Sequence, residues 1–279
     1  MAKKAKSAKT AANKTASTKK TNAKGAKPAA KAKPAKARTP AKGAKATPAK
    51  IVKAATTKSA KKAKPRAARP VSIPTLYGIH LSGPTYKVGL MLALTGQKFA
   101  YEHINLREGK HKTSDYLEKN RYGQVPCLID GKMSLCQSAS ILEYLSEKTG
   151  KFSGRSAQEK ARIREWMYWD FDRLAPGIYR TRGVKRGFRE AAPEVVAVYE
   201  SDAKAALNVL NEALSKSDFL VGKRATIADI DVYGVIAYAH EGGFDLGEYP
   251  HVQAWKTRIE KLKGFGAPEQ VLPQESRAA

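Results

Sequence analysis

Acidic residues are missing from the first quarter of this 279-residue chain: residues 1–70 hold 23 Lys or Arg and no Asp or Glu. Aromatic residues are missing from the same stretch, and beyond Met1 its larger apolar residues are Ile51 and Val52. Such a segment cannot bury enough apolar surface to offset chain entropy, which excludes a core of its own and predicts disorder. Cysteine is scarce, with Cys127 and Cys136 the two in the chain. They form no Cys-x-x-Cys pair and no metal cluster with the five scattered His, which argues against a disulfide-stapled scaffold and against a bound metal. Apolar runs nowhere approach the ~20 residues of a membrane span. Met1 to Lys20 also lacks the apolar stretch of a secretory signal. A reducing, cytoplasmic compartment is the expectation.

What is present divides in two. Of the formal net charge of +27, residues 71–279 contribute +4, from 29 Lys and Arg against 25 Asp and Glu, and the tail contributes the other +23. The Thr-Pro-Ala-Lys unit at 39–42 recurs at 47–50, a low-complexity pattern that resembles the Lys/Ala/Pro tails of linker-histone-like proteins. A flexible polycation releases counterions from phosphates, so the tail predicts salt-sensitive, sequence-blind association with DNA, RNA or another polyanion. Lys far outnumbers Arg, and no aromatic ring is available for base stacking. Base reading is therefore not the expected mode. A solubilising tail, or a cationic arm for an acidic membrane or protein, remains the other reading.

From Thr75 the pattern is regular. A strand at Thr75 to Ile79, an apolar helical run through Val88, Met91, Leu92 and Leu94, and a strand at Phe99 to Asn105 form a strand-helix-strand unit. A helix near Thr113 to Arg121 follows. Val125 to Ile129 and Met133 to Cys136 then flank Asp130-Gly131, a hairpin signal. Ala139 to Lys148 reads as a helix that completes a small α/β domain. Beyond it the signals turn helical. Ser156 to Glu159 has capping-box spacing ahead of a run to Leu174, and Tyr199, Ala203, Leu207, Leu210 and Leu214 share one helix face. Thr226 to Asp229 is a second box, opening an almost wholly apolar helix to Ala239. The expected divisions are a tail at 1–70, an α/β domain at 71–150, an all-α domain at 151–265 and a flexible extension at 266–279.

Val125-Pro126 before a hairpin, Gln137-Ser138 opening a helix, the Thr226 to Asp229 box and the stretch GGFDLGEYPHVQAW at 242–255 occur in one order and spacing. In that combination residues 73–265 resemble the cytosolic glutathione transferases, bacterial and theta-like members in particular. The resemblance implies a thioredoxin-like domain that binds glutathione, an all-α domain that supplies the co-substrate pocket, and a homodimer. It gives Ser82 the task of donating a hydrogen bond to the glutathione sulfur, with Thr85 and Tyr77 as rivals. Ser138 and Gln137 fall to the γ-glutamyl carboxylate, Val125 and Pro126 to the cysteinyl portion, and His111 and Lys112 to the glycyl end. Thr226 and Asp229 are structural. Read without the family, Ser82 is ordinary turn chemistry, Ser138 a plain N-cap, Pro126 an edge-strand proline, and the two Cys small buried residues. Trp166, Tyr168, Trp169, Phe171 and Tyr179 read first as core and second as pocket wall.

Two function classes follow. One is a glutathione S-transferase acting on an apolar electrophile, or in a related peroxide or disulfide reaction, with the tail localising it on a polyanion. The other is a non-catalytic docking module of the same fold, tethered to nucleic acid.

Overall fold

The structure is a computed structural model that describes residues 73–278; the expectations of disorder and polyanion binding for residues 1–70 lie outside them. Strand β1 (Thr75–Gly78) is followed by helix α1 (Gly83–Thr95), β2 (Ala100–His103), α2 (Ser114–Lys119), the hairpin strands β3 (Cys127–Asp130) and β4 (Met133–Cys136), and α3 (Ser138–Thr149). The sheet order is β2-β1-β3-β4, with β1 parallel to β2 and antiparallel to β3. The chain continues as α4 (Ala157–Trp169), a π-turn at Asp170–Leu174, α5 (Ala175–Lys185), α6 (Pro193–Leu214), α7 (Ile227–Ile236), α8 (Pro250–Glu260) and the short α9 (Pro268–Val271). The result is an α/β domain followed by a helical one, as the sequence pattern predicts, and the α/β domain has the thioredoxin-like form that the resemblance implies.

Helix α1 joins the layers. It packs on α3 and α7, and Tyr86, Val88, Leu90, Met91 and Leu92 are all fully buried. A helix apolar on all sides belongs inside a core, and each such large side chain stabilises by roughly 1.5–3 kcal/mol. Gly78 allows this approach: a Cβ there would meet the Thr85 methyl at 2.1 Å. On α7, the buried Asp229 carboxylate is satisfied by four donors. Thr226 N and Thr226 Oγ1 donate to Oδ2 at 2.8 and 3.0 Å, and Leu220 N and Trp255 Nε1 donate to Oδ1 at 2.8 and 3.0 Å. The cap therefore ties the helix start to α8 and to the 220 loop, as a buried charge requires.

Local differences from the sequence reading have local causes. The hairpin loop is Gly131-Lys132, one residue later than expected, because Asp130 pairs with Met133. Of the two loop residues only Gly131 has positive φ, at +61°, the arrangement of a type II′ turn. Strand β3 begins at Cys127 and leaves out Val125; the intervening Pro126 has no N–H to give the ladder. Ser156 Oγ accepts from Glu159 N at 3.1 Å, but Glu159 Oε2 returns to Arg155 N rather than to Ser156, so the box is displaced by one residue. The expected flexible extension is anchored at two places. Val271 and Leu272 are buried, and Arg277 pairs with Tyr101 through two backbone hydrogen bonds of 2.7 Å, covering the free edge of β2.

Candidate functional site

The N-termini of α1 and α3 open onto one cleft of about 1340 Å³. Its α/β wall includes Ser82, Pro84, His111, Lys112, Val125, Pro126, Gln137 and Ser138; its helical wall includes Met167, Trp169, Asp170, Phe171, Tyr179 and Ala206. The cleft thus collects Ser82 and all six residues that the resemblance places around glutathione. It leaves out the two rivals. Thr85 is fully buried against Gly78, and Tyr77 is half-buried with its ring edge on Tyr116, centroids 6.3 Å apart.

Ser82 is the N-cap of α1, and its Oγ accepts from Thr85 N at 3.2 Å. Accepting that bond leaves the hydroxyl proton to donate elsewhere. The loop before it is held from the helical domain: Arg182 Nη1 donates to Leu81 O at 2.8 Å, and Tyr238 Oη donates to His80 O at 2.8 Å. Arg182 also lies over the Tyr238 ring, 4.4 Å from its centroid, and pairs with Glu241 at 3.2 Å. Sequence reading had no access to these supports, because they join positions 101 and 158 residues apart.

At α3 the structure moves the cap by one residue. Gln137 is the N-cap and Ser138 the first helical residue, so the plain N-cap reading of Ser138 does not hold. Gln137 makes no side-chain capping bond, and its φ of +74° is uncommon for a residue with a side chain. The first-turn N–H groups of α3 therefore face the cleft without a capping side chain, an anion-binding arrangement reinforced by the helix dipole. Strained backbone of this kind concentrates at ligand sites.

The Val125-Pro126 peptide is cis. Its approach is fixed by Asn120 Nδ2 and Tyr116 Oη, which donate to Gln124 O at 2.6 and 2.7 Å. Lys112 Nζ donates to Gly123 O at 3.0 Å, which places its ammonium beside the same loop. Burial and then the neighbouring Lys112 charge hold the His111 imidazole below its usual pKa, and among the described residues its Nδ1 has no hydrogen-bond partner. Arg173, Arg180 and Arg189 add positive charge at the helical side.

Beneath Ser82 lies a cluster that the sequence reading missed. Lys87 Nζ, on α1, sits 2.6 Å from Asp170 Oδ2 on the π-turn and 3.0 Å from Asp231 Oδ1 on α7, and all three side chains are at most 5% exposed. Burial, only partly countered by Lys87 and augmented by Asp231, pushes the Asp170 carboxyl up to about 7. Burial works against the Lys87 ammonium, but the two carboxyls outweigh it and hold its pKa above the usual value. Tyr179 closes the floor. Its hydroxyl donates to Gly234 O at 3.0 Å and comes so near Gly83 that a Cβ there would lie 2.0 Å from it.

The aromatic set is less buried than expected for core. Trp166, Trp169 and Tyr179 are half-buried, while Tyr168 and Phe171 are 66% and 77% exposed. Asp170 continues the buried spacing of Ile163 and Met167 and enters the interior, while Phe171, the next residue of the π-turn, lines the cleft. Among the described residues no group of three or more His, Cys, Asp or Glu is arranged to hold a metal ion, and no helix is long and apolar enough to cross a membrane.

Known proteins share this arrangement. Family models for the Glutathione S-transferase N-terminal domain and C-terminal domain match residues 74–147 and 182–263. The chain is 27% identical over 192 residues to the disulfide-bond oxidoreductase YfcG of Escherichia coli (strain K12), covering 65% of this chain and 87% of that protein. It is 28% identical over 199 residues to glutathione S-transferase theta-1 of Rattus norvegicus, covering 68% and 83%. A crystal structure of a glutathione S-transferase from Pseudomonas fluorescens [Pf-5] superposes with a TM-score of 0.68 at 30% identity, covering 71% of this chain and 99% of that one.

Proposed function

The chain belongs to the glutathione S-transferase family, and from that premise we propose that its cleft activates the glutathione thiol for attack on an apolar electrophile. Membership makes it a glutathione transferase-type enzyme with a glutathione-dependent activity. The observation that carries the finer reading is the meeting of two helix N-termini in one cleft, one capped by Ser82 and one left open at Gln137-Ser138.

In this reading the γ-glutamyl carboxylate lies against the first turn of α3, beside Gln137 and Ser138. Val125 and Pro126 receive the cysteinyl portion, and His111 and Lys112 the glycyl end. Ser82 takes the role that theta-like members give to a serine, donating its proton to the sulfur rather than attacking anything itself. A thiol of pKa near 8.5 is about 3% ionised at pH 7, and a lowering of about two units makes thiolate the main form. That shift asks for roughly 2.7 kcal/mol, which a hydroxyl donor and the start of α1 together supply. Trp169, Phe171 and Tyr179 form the apolar part of the co-substrate pocket. The likeness to a disulfide-bond oxidoreductase favours disulfide exchange as a second use of the same thiolate. We further read the protein as a cytoplasmic homodimer whose tail, residues 1–70, holds it to nucleic acid or another polyanion.

Titration of the full-length protein with glutathione at neutral pH, followed by thiolate ultraviolet absorbance, tests the site. Saturable thiolate formation is expected. Ser82→Ala removes most of it and lowers the conjugation rate by about 10- to 100-fold, the effect of losing one to two units of thiol activation. S-methylglutathione, which has no thiol to activate, should bind the variant as it binds the wild type. A Ser82→Ala enzyme with full thiolate formation removes Ser82 from the mechanism, and absence of any glutathione binding favours the docking-module reading.

A further inference from the structure

Cys127 and Cys136 stand directly opposite each other on β3 and β4. Opposed residues of an antiparallel pair have Cα atoms roughly 4.5–5.5 Å apart, within the ~4.4–6.8 Å span of disulfides. Their side chains leave the sheet on the same face and converge on one atom. Cys127 Sγ and Cys136 Sγ both donate to Lys119 O, at 3.4 and 3.8 Å, and Ser134 Oγ donates to the same oxygen at 2.6 Å. The neighbours along the chain matter as much. Cys127 follows Pro126 and Cys136 precedes Gln137, and both of those neighbours line the cleft.

We propose that Cys127 and Cys136 are a redox-modification site, oxidised by glutathione disulfide to a cross-strand disulfide that weakens the cleft's hold on glutathione. Cys136, the half-buried thiol, attacks one sulfur of glutathione disulfide; one glutathione leaves as its thiol and Cys136 becomes a mixed disulfide. The fully buried Cys127 then attacks the Cys136 sulfur, expels the second glutathione and gives up its proton to it. Two protein thiols and one glutathione disulfide become one protein disulfide and two glutathione thiols, and no other oxidant is needed. Burial pushes the Cys127 thiol up to about 11, which makes it a slow nucleophile and a poor leaving group. The disulfide therefore forms under sustained oxidation and, once formed, is slow to reopen at that sulfur.

Oxidation leaves no buried acceptor without a donor, because Ser134 Oγ stays on Lys119 O. It does turn both sulfurs away from Lys119, the last residue of α2. That residue directly precedes Asn120, whose bond to Gln124 O sets the approach to Val125. The hairpin is thereby stapled while its tie to α2 is loosened. The formation of the bond stands on geometry alone; its effect on glutathione rests on the reading of the cleft given above.

Full-length protein is equilibrated in buffers of increasing glutathione disulfide to glutathione ratio, quenched with an alkylating agent, digested and read by mass spectrometry. A peptide linked through Cys127 and Cys136, reversible on returning to reducing buffer, is expected, and Cys127→Ala should instead accumulate Cys136 as its glutathione mixed disulfide. Two alkylated cysteines, or mixed disulfides alone, in the most oxidising buffer overturn the proposal. S-methylglutathione, which cannot reduce the bond, should bind the oxidised form at least about threefold more weakly. Equal affinity overturns the effect on the cleft. If neither form binds it while the linked peptide forms, the glutathione reading fails and the redox site stands.

Discussion

Replacing Lys87 by Met should cost as much as a large apolar truncation in the same helix, although it removes no apolar side chain. The ammonium is 2.6 Å from Asp170 and 3.0 Å from Asp231, and the three side chains are 5%, 1% and 2% exposed. Met keeps the length and apolar stem and removes the charge, leaving two carboxyls facing each other in the interior. Breaking a buried pair from one side costs about 3–5 kcal/mol, because the remaining charge loses its compensation and cannot reach water. For a folded unit of this size that corresponds to a fall in Tm of roughly 6–20 °C. The pH dependence identifies the cause. In the wild type Asp170 titrates at about 7, above the ~3.9 of an unfolded carboxyl. Its proton therefore favours the folded state fully below pH ~4, and that contribution is lost as the pH rises through 7. Without Lys87 the pull that lowers both carboxyls is gone, so they hold their protons to still higher pH. Charging them then costs more; Tyr179, the other titratable group facing the cluster, adds no positive charge. The deficit of Lys87→Met against wild type should thus grow from pH 5 to pH 8. Urea unfolding followed by tryptophan fluorescence, at one pH unit per step, measures it. A combined Lys87→Met, Asp170→Leu, Asp231→Leu variant should recover much of the loss, as apolar replacements of buried ion clusters do. A deficit below about 1 kcal/mol, or one independent of pH, refutes the account of a cation neutralising two buried carboxyls.

Two further outcomes bear on the cleft and the tail. Gln137→Ala with Ser138→Ala should raise the Kd for S-methylglutathione at least about tenfold, the ~1.4 kcal/mol of a charge-assisted contact, with circular dichroism unchanged; wild-type affinity would remove these two side chains from the carboxylate's binding. Removal of residues 1–70 should abolish salt-sensitive retention on DNA or RNA while leaving glutathione-dependent activity intact, since +23 of the +27 charges go with it. Retention by the shortened chain would place the basic surface elsewhere, with Arg173, Arg180 and Arg189 at the cleft the first residues to replace.

What the sequence made legible is what local backbone chemistry decides. The Thr226 to Asp229 box and the Val125-Pro126 step before a hairpin each need only a few consecutive residues, and each is where it was expected. The errors of one residue have the same origin. Asp130-Gly131 and Ser138 are strong local signals, but pairing of Asp130 with Met133 and the positive φ of Gln137 shifted the turn and the cap by one place. The aromatic set divides, because Trp166 and Trp169 flank the buried face of α4 and, with Tyr179, pack against the core, while Tyr168 and Phe171 stand outside that face.

The Lys87 cluster shows why the remainder was out of reach, and also what signal was there. Lys87 interrupts the apolar run of α1, and Asp231 interrupts that of α7, in helices buried on all sides. A charge in such a helix must find its opposite, since an unpaired buried ion costs several kcal/mol. One Lys and one Asp in two separate apolar helices are therefore evidence that those helices touch, and they do. Asp170 stands seven residues after Ile163 and three after Met167, on the buried face of its helix, but the many charged residues of α4 hide that face in the sequence. Opposite charges inside apolar helices are a tertiary signal written in the sequence. A carboxyl on the narrow buried face of a mostly polar helix is a fainter one, and the chemistry at the floor of this cleft depends on both.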